Sequence, residues 1–264
     1  GEAPKGGGGL SFAASLKALA TVPTLRCLAL AALAQGVSTN LLEVAWKSQL
    51  RILYPNPAQY SAFMGDVASV TGICTGAMML VSPLLFLRMS WSNVASITPR
   101  FLMVGGTAFF MAAIAHHRGL LGQSMAGYGL AVLGAAMYVF SRAAKFGFFK
   151  PAEEMVYLRL DAESKSKGKA AVDVIGAQTG KSASSLLQQA LLLLSAGSLI
   201  KIFPVMLFVF VLTLRQWVGS VSSISRIEGM DAAGEGEQRA PEPGARGEAP
   251  LPGPADAQGG GAGP

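Results

Sequence analysis

The chain of 264 residues is 51% hydrophobic and 14% charged, whereas a soluble domain carries about 25% charge. Its net charge of +6 is spread between apolar blocks and forms no long basic arm, which argues against a nucleic-acid partner. Apolar blocks of roughly 18 to 25 residues recur, the length that crosses a hydrocarbon core, so the expected fold is an all-α membrane protein.

Residues 1–24 open on GEAPKGGGGL, a Gly-rich linker without an initiating Met. The chain is therefore expected to be processed or excised from something longer, and no signal peptide is visible. SFAASLKALATVP follows, either a short helix on the membrane surface with Lys17 and Arg26 toward headgroups or an ordered linker. The first span is placed at residues 25–50, polar in its second half, where Asn40, Glu43 and Lys47 lie. YPNPAQ breaks it, because Pro55 and Pro57 cannot continue a helix.

The second span covers residues 60–88, with Asp66 near its start and a Gly72/Gly76 pair on which another helix could pack closely. The third covers 92–115. Pro99 is expected to kink it, and Arg100 reads either as a charge facing a polar cavity or as one that snorkels. His116, His117 and Arg118 read as a solvated polar turn, with no further ligands nearby for a metal. The fourth span covers 124–149 and is basic in its last third. Residues 150–171 read as a charged loop, with Glu153 and Glu154 on a solvated face.

The fifth span, 172–200, is polar at first and then apolar; the sixth is 201–218, with Lys201 and Arg215 flanking it. Residues 228–264 are rich in Gly and Pro and too poor in apolar side chains to fold. Spans in lipid must satisfy their own backbone groups, so six helices in a bundle are expected over 25–218. The basic loops place both ends and the 150–171 segment on the inner side. Cys27 and Cys74 lie within apolar blocks and read as buried free thiols.

No catalytic motif, cofactor fingerprint or metal spacing is present; an enzyme is not expected, nor a cofactor. GAQTGKS at 176–182 lacks the spacing of a phosphate-binding loop, which needs four residues between its glycines and a preceding strand. Lys181 is the informative residue of that stretch. It lies about one turn inside a span, where a lysine either faces a watery cavity or snorkels to headgroups. Glu43 lies deep in an apolar helix, and Lys47 one turn on can pair with it. Two charges at that depth are rarely retained without use.

NLLEVAWKSQL at 40–50, YSAFMGDVASVTG at 60–72, KFGFFKPAEEMVYLRLD at 145–161 and KGKAAVDVIGAQTGKSASSLLQQ at 167–189 resemble the plastid and parasite-type ATP/ADP translocases. The resemblance runs over about residues 15–218. It implies a major-facilitator-like bundle of twelve helices that rocks two halves about a midplane site, of which this chain resembles the C-terminal six-helix half. It further implies ATP and ADP as substrates, a lipid bilayer around the chain, a missing N-terminal six-helix half as partner, and roles for Glu43 and Lys181 in nucleotide transport. Asn40 and Lys47, in the same first motif, are weaker carry-overs. Arg100 and the Ser-Ala-Ser-Ser run at 182–185 depart from the family, which usually has glycines there.

The expectation is thus an ATP/ADP antiporter working by alternating access. The resemblance implies a plastid envelope or an obligate intracellular bacterium as the setting; the Ala/Gly-rich composition and long Gly/Pro tail favour the plastid (chloroplast), at its envelope inner membrane. A proton-coupled nucleotide importer and a non-transporting scaffold or regulatory subunit are the alternatives.

Overall fold

The computed structural model describes residues 19–120, 123–173 and 199–231, together with isolated helical positions between 182 and 193. Helix α1 runs Pro23–Leu53, α2 Pro57–Arg88, α3 Trp91–His117 and α4 Gln123–Ala144. A π-helical turn, Lys145–Phe149, joins α4 directly to α5, Lys150–Tyr157. Then come α6, Ala162–Asp173, a 3-10 turn, Leu199–Ile202, and α7, Phe203–Glu228. No strand occurs among the described residues.

Local chemistry fixes the boundaries. Pro23 and Pro57 open α1 and α2, where a missing N–H costs nothing. Asn56 caps α2 by accepting from Ala58 N at 2.9 Å. Gly119 (φ 73°) and Gly229 (φ 59°) take the left-handed conformation that ends α3 and α7. Among the described residues, four helices, α1, α2, α3 and α7, are long and apolar enough to cross a membrane. Helix α3 runs unbroken through Pro99.

The core lies between α1, α3, α4 and α7. Helix α1 packs on α7 and α4, and α3 packs on both as well. Trp46, Phe109, Phe110, Phe203, Phe210 and Trp217 are fully buried there. Helix α2 stands at the edge against α4 and the π turn, with only Val67 and Ser82 buried.

At one end the start of α1 meets the end of α7 through Thr24 and Glu228 (2.5 Å). The start of α3 joins them, with Ser92 N donating to Asp231 at 2.9 Å. At the other end the close of α3 meets the start of α7, His117 lying edge-on to Phe203.

Several sequence expectations are corrected. The charged loop at 150–171 is helical over most of its length: α5 continues α4 through the π turn, and α6 packs on the start of α1, where Gly168 seats Leu25. Glu153 is not on a solvated face. It is 2% exposed, ion-paired to Lys150 at 2.8 Å and hydrogen-bonded by the Tyr157 hydroxyl at 3.1 Å. Glu154 does point outward, paired with Lys169 at 2.6 Å. His116 and His117 close α3 half-buried instead of forming a solvated turn, and His117 Nε2 bonds Gln49 Oε1 at 2.9 Å. Cys27 and Cys74 are free but half-buried. The sixth span extends well past residue 218, to Glu228, and carries the ordered chain into the start of the expected tail.

Candidate functional site

Glu43 lies on α1 where the sequence turns polar within an apolar helix. Its carboxylate is held between two cations. Lys47 Nζ stands 2.6 Å from Oε1, one turn along the same helix. Arg142 Nη2 stands 2.8 Å from Oε2, from α4. Glu43 is 14% exposed, Lys47 34% and Arg142 41%, so the trio sits at an open edge of the bundle. The gross attraction of such a pair is about 4 kcal/mol at 4 Å and an effective dielectric of 20. Partial exposure screens most of it, so net stability from the trio is modest.

The Arg142 guanidinium is set by an aromatic pile. It lies 5.3 Å from the centre of the Tyr138 ring. Tyr138 stacks on Trp46 at 4.9 Å. The Trp46 indole is fully buried and donates to the Ala131 carbonyl at 2.9 Å. Gly134 makes room for that indole: a Cβ there would come within 2.2 Å of it.

Arg142 also lines a cavity of about 310 Å³ between α2 and α4, walled by Met64, Thr71, Thr75, Tyr138 and Phe146. Thr71 and Thr75 give their hydroxyl protons to the carbonyls of Val67 and Thr71, each at 2.7 Å. They can still accept, but their protons are taken; a guanidinium is the strong anion donor in this wall.

Of the residues singled out from the sequence, the structure brings Glu43 and Lys47 into one ion pair. Asn40 lies half-buried three residues before Glu43, hence on the same side of α1. Lys181 lies outside the described residues, as do Gly176 and Gly180. Arg100 is on the exposed side of α3. Arg142 was missed, although an arginine inside the apolar fourth span carried the same signal as Lys181. No group of His, Cys, Asp and Glu that could hold a metal occurs among the described residues.

Helices of this length and hydropathy, with a charged cluster set among them, define an all-helical, multi-pass membrane protein. The chain belongs to the TLC ATP/ADP transporter family, whose sequence model matches residues 3–227. It is similar to ADP,ATP carrier protein 1, chloroplastic, of Arabidopsis thaliana, with 40% identity over 216 residues, covering 80% of this chain and 34% of that protein. It is also similar to ADP,ATP carrier protein 1 of Chlamydia trachomatis serovar D, with 36% identity over 226 residues, 83% of this chain and 42% of the relative. ADP,ATP carrier protein 4 of Rickettsia prowazekii matches at 31% over 225 residues, 82% and 44%. The chain thus spans 34% to 44% of the length of these relatives. No solved structure matches it.

Proposed function

We propose that this chain is the C-terminal six-helix half of a nucleotide carrier that exchanges ATP for ADP by alternating access. The observation that carries the reading is the Glu43 carboxylate between Lys47 and Arg142 beside a cavity, within a chain of the TLC family. The relatives' names are those of ADP,ATP carriers, and a site for a polyphosphate needs cations placed at membrane depth, where each is strongly felt.

Six crossings fit the ends of the described segments. Helix α6 packs against the start of α1, whereas α7 begins beside the end of α3, at the opposite end of the bundle. The described segments on either side thus face opposite ends of the bundle, which supports the six-crossing reading. On this reading the arrangement is major-facilitator-like, with an N-terminal six-helix half closing the open edge where the trio lies.

In this mechanism Lys181 attracts the phosphates, with Lys47 adding to the positive field and Asn40 alongside as a neutral polar contact. Glu43 disfavours an empty or wrongly charged site. Chloroplast-named relatives support the inner envelope membrane of a plastid as the location.

The test is uptake of labelled ATP into vesicles reconstituted with this chain and its N-terminal six-helix complement, preloaded with ADP or empty. Uptake that requires internal ADP is the expected result. Uptake into empty vesicles that follows a proton gradient would replace exchange by proton-coupled import. No uptake in either condition would leave a non-transporting scaffold.

A further inference from the structure

We propose that Arg142 is a ligand of the substrate phosphate, and that Glu43 occupies it in the empty cavity as a tethered stand-in for that phosphate. The inference rests on the nucleotide-transport reading and adds a residue and a partner exchange to it.

The guanidinium is only partly used. Nη2 is bound to Glu43, while Nε is buried and has no hydrogen-bond partner among the described residues. A guanidinium offers five donors in a rigid fork that matches a phosphate edge, and this one opens on the 310 Å³ cavity. It lies 5.3 Å from the Tyr138 ring centre, with the buried Trp46 stacked behind that ring. Little ordering is therefore left to be done when an anion arrives. The π turn three residues on brings Phe146 into the same wall, and such turns gather at functional sites.

The charge arrangement makes the exchange feasible. A carboxylate facing two cations leaves an excess positive charge, and a di- or triphosphate brings more negative charge than Glu43 does. When the phosphate takes Arg142, Glu43 keeps Lys47, one turn away at 2.6 Å. No ion is stranded at either stage, which is the costly outcome when a pair is broken in a low dielectric. On release, Glu43 returns to Arg142 and displaces the product.

This predicts opposite effects for the two partners of one ion pair. The chain with its N-terminal complement is reconstituted, and initial rates of labelled ATP uptake are measured against ATP concentration. Arg142→Gln should raise KM at least tenfold and change kcat less than threefold, with Arg142→Lys between it and the wild type. Glu43→Gln should lower KM and also lower kcat, because nothing displaces the bound nucleotide. Amounts of membrane-inserted protein should match throughout. A purely structural pair would shift KM in the same direction for both variants, and that outcome overturns the inference, as does an unchanged KM in Arg142→Gln. Variants that fail to insert are replaced by equilibrium binding of labelled ATP to detergent-solubilised protein, where the same opposite signs are required. Wild-type protein that neither takes up nor binds ATP overturns the transport reading itself, and this inference with it.

Discussion

Arg142 and Glu43 are separated by 99 residues of sequence, yet their guanidinium and carboxylate stand 2.8 Å apart across the α1–α4 interface. The two helices run antiparallel, since Trp46, further along α1, reaches back to Ala131, earlier on α4. The charged site is therefore built on the contact that also seats a fully buried tryptophan, and its geometry depends on that packing.

Gly134 tests this dependence. A methyl group there meets the Trp46 and Phe109 rings at 2.2 and 2.9 Å, both rigid and buried. Gly134→Ala should destabilise the protein by about 1–3 kcal/mol and displace Tyr138 and Arg142 with it. Thermal midpoints of the detergent-solubilised protein measure the effect. Gly72→Ala, with nothing within 4 Å in this chain, should not lower the midpoint, since alanine is the better helix former.

Glu153 and Glu154 are neighbours in sequence but should differ in cost. Glu153→Ala removes a buried carboxylate that satisfies Tyr157 and Lys150, a loss of about 1–3 kcal/mol. The Lys150 amine, 38% exposed, can turn to water, which keeps the figure below that for a stranded ion. Glu154 and Lys169 are both about half exposed, so Glu154→Ala should cost about 0.5 kcal/mol or less. Urea or heat unfolding of the two variants side by side checks the contrast.

Lys181→Ala should abolish ATP uptake while leaving the amount of membrane-inserted protein unchanged, if the lysine attracts the phosphates. Normal uptake by that variant would remove Lys181 from the mechanism.

Trp91 ties α3 to α5 by donating its indole N–H to the Ala152 carbonyl at 3.1 Å. Trp91→Phe keeps most of the buried ring and loses the bond, so about 1 kcal/mol of stability should go. Amide exchange in residues 150–157 should quicken in that variant before exchange in α1 does.

The break between α1 and α2 was legible because proline acts locally: Pro55 and Pro57 interrupt a helix whatever surrounds them. Glu43 and Lys47 were legible because a charge pair one turn apart within an apolar run stands out in one dimension. Arg142 was not, since its partner lies on another helix and its own neighbours made it look like part of a basic end. The segment from 150 reads as a loop because its charge density hides the helical period. The burial of Ala152, Glu153, Val156 and Tyr157 shows that one side of it faces the core. Family membership was legible from four long motifs, for which no three-dimensional information was needed.

The π turn at Lys145–Phe149 has one consequence of its own. An extra residue in a helical turn rotates everything beyond it by about 100° relative to an uninterrupted α-helix. Gln123 to Tyr157 is thus a single rod with two azimuths: the upper one aims Tyr138 and Arg142 at the cavity, the lower one aims Glu153 and Tyr157 into the floor of the bundle. Deleting one residue within the turn would leave the rod intact as a helix and bring its lower part out of phase. A length-preserving substitution would not. The segment is therefore sensitive to indels in a way its side chains alone do not announce.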